Sequence, residues 1–269
     1  MRVLITGLLP QDSGKTTMGI NLIRAFKEVG IRMFPYKPVA GFNGWYSYEY
    51  LIRGVNMGII AGGDAFKYYD ETGEDIRKIN PFTLLTLPLD LEKADFRNVF
   101  FENKEGIVHA LLRAESCTNA EGYYLAKEYQ FSSEGLISII NGFLARRGFN
   151  LISENQIITM IDDSVNSTNN CTPQDDNIII ESYNDAAAPN WESLKVDFTL
   201  AVSPGKSFLI SGEEYSMAVK ALTFSRLMMK TIKVVGVVRP MKSFSLSPHN
   251  FENYREIVNW LLKYNIISK

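Results

Sequence analysis

Residues 1–30 read MRVLITGLLPQDSGKTTMGINLIRAFKEVG. Arg2 to Ile5 begin a short apolar strand. A loop bounded by Gly7 and Gly14 follows and closes on Gly14-Lys15-Thr16-Thr17. Beyond it Ile20, Leu22, Ile23, Ala25 and Phe26 recur among polar positions at helical spacing, and Gly30 supplies a stop. Strand, glycine-bounded loop and helix, in that order, make a phosphate-binding loop. Its backbone N–H groups turn inward around phosphate oxygens, and the helix N-terminus adds a positive field. In such a loop Lys15 reaches the β- and γ-phosphates and the Thr16 hydroxyl ligates Mg²⁺. Ser13, Gly14, Lys15, Thr16 and Thr17 are therefore the candidate phosphate-binding residues. The spacing is a variant. The usual Gly-x₄-Gly-Lys-Ser/Thr pattern asks for glycine where Leu9 stands, and six residues separate Gly7 from Gly14. The alternative is a chance Gly-Lys-Thr in a strand–turn–helix; the position after an N-terminal strand favours phosphate.

The apolar pattern downstream extends this unit. Residues 31–36 read as a second strand ending at Lys37-Pro38, and a helix is expected from Gly62-Gly63-Asp64 through Tyr69. An apolar run covers Thr83 to Leu89. Residues 98–112 suggest a β-hairpin turning at Asn103-Lys104, residues 120–147 two helices, and residues 151–161 a strand or helix end. Ser164 to Asn177 is polar and aperiodic, and reads as a loop. Ile178-Ile179-Ile180 is a buried-strand run ending in Glu181. Further strands are expected over 197–202 and 233–238, and helices over 213–228 and 250–263. Continuous apolar strands alternating with helices predict an α/β fold with a mostly parallel, doubly wound sheet covered by helices on both faces, the P-loop NTPase architecture. One domain over residues 1–269 is expected, with an elaborated middle region at about 95–175.

Composition narrows the function classes. The chain has 269 residues, 46% of them hydrophobic, and a net charge of −2. That length buries a sizeable core, and the charge speaks against general nucleic-acid binding. No apolar run approaches the ~20 residues that span a membrane. Met1 leads directly into a core strand, so a removable signal peptide is not expected and a cytoplasmic location is. The two cysteines, Cys117 and Cys171, are too few for a disulfide framework, and no CxxC spacing suggests zinc. The sequons at Asn166 and Asn170 then read as chance.

In doubly wound sheets ligands bind beyond the carboxyl ends of the strands. The polar residues at those positions are Lys15, Thr16, Lys37, Asp64, Glu181 and Lys206. Mg²⁺ takes a few carboxylates together with phosphate and water, so Thr16, Asp64 and Glu181 form the candidate metal set. A solvated strand-end charge is the alternative for Glu181, and a helix N-cap that for Asp64. Lys37 at a strand end is placed to neutralise a transferring phosphoryl group, or is a surface lysine. With Lys15 it makes the candidate catalytic pair. His109 and His249 lack partners at matching spacing and read as ordinary histidines. Phe42, Trp45, Tyr46, Tyr48 and Tyr50 offer either a stacking surface or core packing.

Four pieces of the sequence resemble dethiobiotin synthetases, in the order in which they occur in that family. They are Thr6-Gly7 with Ser13-Gly14-Lys15-Thr16-Thr17, Lys37-Pro38-Val39-Ala40-Gly41, Gly63-Asp64-Ala65 with Ile79-Asn80-Pro81-Phe82, and Ile178 to Glu181 with Pro189 beyond. The resemblance implies a P-loop fold, a homodimer and ATP-dependent cyclo-ligase chemistry. It also implies ATP phosphates and Mg²⁺ on Lys15 and Thr16, a transferring group on Lys37, and Asp64 and Glu181 in the metal site. Ser182-Tyr183-Asn184-Asp185-Ala186 replaces the family's glycine pair, and Pro88-Leu89-Asp90 its Pro-His. Val238-Arg239-Pro240 stands where an adenine-reading asparagine is expected. Residues 95–165 have no counterpart. The resemblance therefore implies a divergent member, with phosphate and metal machinery kept and the acceptor pocket rebuilt. The expected activity is Mg·ATP-dependent phosphoryl transfer to a small anionic substrate. The alternatives are a nucleotide-switch ATPase of the partitioning or targeting type and a regulatory nucleotide-binding protein.

Overall fold

The computed structural model describes residues 1–94, 106–116, 120–223, 227, 229–247 and 250–267. The chain begins with β1 (Arg2–Gly7), α1 (Lys15–Glu28), β2 (Phe34–Tyr36), β3 (Val39–Asn43), α2 (Tyr48–Met57), α3 (Gly63–Thr72) and α4 (Ile76–Ile79). It continues with β4 (Phe82–Pro88), β5 (Ile107–Ser116), β6 (Ala120–Ala126), α5 (Glu134–Leu144), β7 (Asn150–Ile152) and α6 (Glu154–Ser167). It ends with β8 (Ile178–Glu181), β9 (Phe198–Ser203), β10 (Lys206–Ser211), α7 (Gly212–Leu222), α8 (Thr231–Val235), β11 (Lys242–Ser245) and α9 (Glu252–Ile267). Two compact units result. The first comprises Met1–Pro38, Lys67–Ile79 and Thr172–Lys269; the second comprises Val39–Phe66 and Asn80–Cys171.

The first unit is built on one sheet with strand order β11-β10-β9-β1-β8-β2. β2, β8, β1 and β9 run parallel, with Val3 opposite both Ile179 and Phe198. Val3, Leu4, Ile5 and Ile178 to Ile180 are all fully buried. Burial on both faces is why these strands read as unbroken apolar runs. α1 packs on β1, β8 and α9, turning Met18, Leu22, Ile23 and Phe26 inward. Burial also pushes the phenols of Tyr36 and Tyr215 above their ordinary range, so both remain neutral.

The remaining strands correct the expectation of a mostly parallel, doubly wound P-loop NTPase sheet. β9 turns back through Pro204-Gly205 into β10, with Ser203 opposite Lys206, and β10 and β11 are antiparallel. Gly205 has φ +78°, the conformation that a tight turn after proline needs and that glycine adopts without a side-chain clash. The expected strand at 233–238 is instead the one-turn helix α8, followed by exposed Val237. Its start is tied down from outside, because Thr231 N–H donates to Asp185 O at 2.8 Å. β-branched content alone did not make it a strand, since packing context decides such short segments.

The second unit has its own sheet, in order β3-β4-β5-β6-β7. β3/β4 and β6/β7 are parallel pairs, whereas β4/β5 and β5/β6 are antiparallel. α5 places Leu136, Ile140, Phe143 and Leu144 in the core with Leu85, Leu87, Leu111 and Leu125. Its spacing is that of an apolar helical stripe. Fully buried Arg113 donates through Nε to Ile60 O at 2.8 Å, and through Nη2 to Asn80 O and Thr83 Oγ1. Residues 120–126 are strand rather than helix: Tyr123 and Leu125 point inward and Gly122 and Tyr124 less so, a period of two. The expected loop at 164–177 is shortened from its start, since α6 runs to Ser167 and a 3₁₀ turn covers Asn169–Cys171. Thr168 Oγ1 donates to Ser164 O at 2.7 Å, giving these small polar residues a helical role. Most of the suggested 98–112 hairpin lies outside the described residues, as do His249 and Cys117. Cys171 is disulfide-bonded.

α6 begins with a capping box. Ser153 Oγ accepts from Gln156 N–H at 3.3 Å, and the Gln156 side chain accepts from Ser153 N–H at 2.9 Å. Ser153→Ala is expected to cost about 1 kcal/mol, read from the midpoint of urea unfolding. Among the described residues no helix is long and apolar enough to cross a membrane.

Candidate functional site

The loop after β1 is held at both ends. Leu8 N–H donates to Val202 O at 2.9 Å, and Met18 N–H to Gly14 O at 2.9 Å. Asp12 and Gly14 take φ values of +52° and +86°, so the chain curls tightly into α1. Gly14 is the N-cap, no side chain caps the helix, and its first turn holds no acidic residue. A 14-residue helix thus directs its positive end at the loop without a neutralising side chain of its own. Ser13 and Lys15 are buried, Thr16 is half-buried, and Gly14 and Thr17 are exposed.

Lys15 bends back over the end of β1. Its Nζ donates to Ser13 Oγ at 3.1 Å and to Asn184 O at 2.7 Å. Glycine at position 7 leaves room for this, since a Cβ there would stand 2.3 Å from Ser13 Oγ and 2.8 Å from Lys15 Nζ. Gly7 therefore serves the loop through close approach to Lys15, despite its distance from the usual motif position. Asn184, a non-glycine residue at φ +42°, offers its carbonyl from the segment after β8.

Glu181 closes β8 directly beside β1, opposite Ile5. It is 1% exposed, so the alternative of a solvated strand-end charge gives way to a buried one. Among the described residues three donors meet it. Thr16 Oγ1 donates to Oε1 at 3.0 Å, Lys37 Nζ to the same oxygen at 2.5 Å, and the Tyr68 hydroxyl to Oε2 at 2.7 Å. Lys37 is likewise buried rather than a surface lysine. Its backbone is fixed by an N–H bond to Ile79 O at 2.7 Å. A buried ion pair needs such supplementary bonds to offset desolvation.

Of the sequence-derived site residues, Ser13, Lys15, Thr16, Lys37 and Glu181 lie within the first unit; one set of bonds joins Ser13 to Lys15, and another joins Thr16 and Lys37 to Glu181. Asp64 belongs to the second unit, in the first turn of α3 and half-buried. Lys206 opens β10 and is exposed. Trp45, Tyr46 and Tyr48 are exposed, whereas Phe42 is core. His109 is partnered: its Nδ1 lies 2.9 Å from Glu154 Oε1. Sequence reasoning missed Tyr68 and the Asn184 carbonyl. The one available signal for Tyr68 was Gly19, an isolated glycine inside a helical pattern, which often marks a close approach.

The donor set can be weighed against Mg²⁺. Octahedral Mg²⁺ with ligands at 2.0–2.1 Å places neighbouring oxygens about 2.9 Å apart. Thr16 Oγ1 and Glu181 Oε1 stand 3.0 Å apart, and both are hard oxygen donors. Among the described residues no group of three or more His, Cys, Asp or Glu side chains is arranged to hold a metal. Thr16 Oγ1 and Glu181 Oε1 could together offer such an ion two oxygen ligands.

No protein-family model and no curated protein matches the chain. Mixed sheets replace the expected mostly parallel one. The mixed sheets overturn the P-loop NTPase fold expected from the sequence, and neither comparison supports the designation of the chain as an ATP-binding ligase of dethiobiotin synthetase type. The geometry around Lys15 and Glu181 is independent of that designation.

Proposed function

We propose that the first unit binds the phosphate groups of a nucleoside triphosphate together with Mg²⁺, and transfers a phosphoryl group to a small anionic acceptor. The observation that carries this is the three-way meeting of Thr16, Lys37 and Glu181 beside the N-terminus of α1, with Lys15 folded over the same loop. Backbone N–H groups at Ser13 to Thr17 and the Lys15 ammonium hold phosphate oxygens. Thr16 and Glu181 hold the metal, which when bound neutralises charge on the phosphates. Lys37, already inside the unit, stabilises charge on the group in transfer. Positioning and charge supply most of the catalysis, because phosphoryl transfer asks for little covalent help from protein. A homodimer and a cytoplasmic location, where triphosphates are abundant, belong to the same proposal.

Calorimetric titration with ATP, in EDTA and then in Mg²⁺, tests this. Wild type is expected to bind in both conditions and more tightly with Mg²⁺. Thr16→Val is expected to keep the EDTA affinity and lose about tenfold of the Mg²⁺ enhancement. Absence of any binding by ATP, GTP or inorganic triphosphate to wild type overturns the proposal.

One observation favours a nucleotide switch as the second reading. Lys15 is engaged by the Asn184 carbonyl, so a phosphate that draws Lys15 away releases the segment after β8. That segment leads through Asp185, which pairs with Lys230 at 3.0 Å, to α8. A change of oligomeric state on adding ATP, without stimulation of hydrolysis by small anions, would select this reading.

A further inference from the structure

Glu181 uses its two oxygens differently. Oε1 faces Thr16 and Lys37, while Oε2 takes a hydrogen bond of 2.7 Å from the Tyr68 hydroxyl. Tyr68 is fully buried in α3, within the first unit. Its backbone carbonyl accepts from Thr72 Oγ1 at 2.8 Å. The hydroxyl reaches Glu181 across α1 at Gly19. A Cβ there would stand 2.0 Å from the Tyr68 hydroxyl oxygen and 3.0 Å from Cζ. The missing side chain at position 19 opens this route.

From this geometry we infer that Tyr68 is a positioning residue for Glu181, an inference that rests on the proposed metal–nucleotide site. The last torsion of a glutamate is broad, so a carboxylate is not oriented by its rotamer alone. Without a donor on Oε2, the Glu181 carboxylate is free to rotate and offer both oxygens to the Lys37 ammonium. Oε1 would then leave its bond with Thr16. A neutral phenol prevents this rotation without adding a second cation to Glu181. Oε1 is thereby kept beside the Thr16 hydroxyl, the pair of oxygens whose spacing suits Mg²⁺. Tyr68 lies on the opposite oxygen, so it acts through Glu181 and touches neither metal nor phosphate. Partners that orient a metal ligand in this way typically contribute 10–100-fold to metal affinity.

The test uses full-length protein with ATP as the nucleotide and Mn²⁺ as a paramagnetic substitute for Mg²⁺. Tyr68→Phe keeps the ring and removes the hydroxyl. Gly19→Ala keeps the hydroxyl and takes its space. ATP affinity in EDTA is expected to remain within about twofold of wild type for Tyr68→Phe. The Mn²⁺ affinity of the protein–ATP complex, read by electron paramagnetic resonance, is expected to fall at least about tenfold in Tyr68→Phe. Gly19→Ala is expected to weaken it in the same sense. Equal Mn²⁺ affinity in Tyr68→Phe and wild type overturns the positioning role. So does a parallel loss of EDTA and Mn²⁺ binding, which marks a purely structural residue. If wild type itself shows ATP binding without any metal dependence, the metal site fails and this inference falls with it. If Gly19→Ala unfolds, Tyr68→Phe alone decides the outcome.

Discussion

Lys37→Ala is expected to destabilise the first unit by about 3–5 kcal/mol, the usual consequence of removing one partner from a buried ion pair. Glu181 is 1% exposed and would remain without its ammonium partner. The Thr16 and Tyr68 hydroxyls would still donate to it, but neutral donors do not replace a charge at 2.5 Å. Urea unfolding, followed through a probe in the first unit, measures the loss. The double variant Lys37→Met with Glu181→Gln separates lost pairing from lost packing. Removing both charges is expected to recover most of the deficit, because a buried pair contributes little net stability beyond its own desolvation. A loss under about 1 kcal/mol in the single variant would mean that the lysine does not hold a buried carboxylate. Strong loss in the double variant would assign the effect to packing.

The same pair shows what was legible from sequence and what was not. β1, the loop and α1 were readable because three local signals coincide: an apolar run, glycines at the turn and helical periodicity. β8 and Glu181 were readable because a strand buried on both faces carries no polar interruption until its end. Strand direction left no such trace. Phe198 to Val202 reads the same whether its neighbour is parallel β1 or antiparallel β10, so the mixed character of the sheet was invisible despite the Pro204-Gly205 turn. The second unit was read less well because its strands are interleaved with polar residues, as in β6, where Tyr123 and Tyr124 suit either element. Tyr68 meets Glu181 across 113 positions of sequence, and only tertiary packing brings them together. Asp64 drew its assignment from its place along the chain and from the resemblance, and it lies in the second unit.

Lys15→Ala is expected to weaken ATP binding about 100-fold, equivalent to ~2.8 kcal/mol, while leaving the fold nearly intact. The two effects separate because of what Lys15 touches. Among its contacts, the hydrogen bonds to Ser13 Oγ and the Asn184 carbonyl go to neutral groups, and breaking these strands no charge on Ser13 or Asn184. A stability loss near ~1 kcal/mol is the scale for such hydrogen bonds. Its proposed ligand is a polyanion, and a charge-assisted bond to phosphate is roughly twice as strong as a neutral one. The loop is shaped around this side chain: a Cβ at residue 7 would stand 2.8 Å from the ammonium. Calorimetry with ATP and thermal unfolding on the same samples give both quantities. Gly7→Ala supplies an independent check, since it crowds Lys15 without deleting it and is expected to impair the same binding. If Lys15→Ala binds ATP as wild type does, the loop is a structural turn and the phosphate site is lost. If affinity and stability fall in equal measure, Lys15 is a strut between the loop and Asn184, and its charge is not used on a ligand.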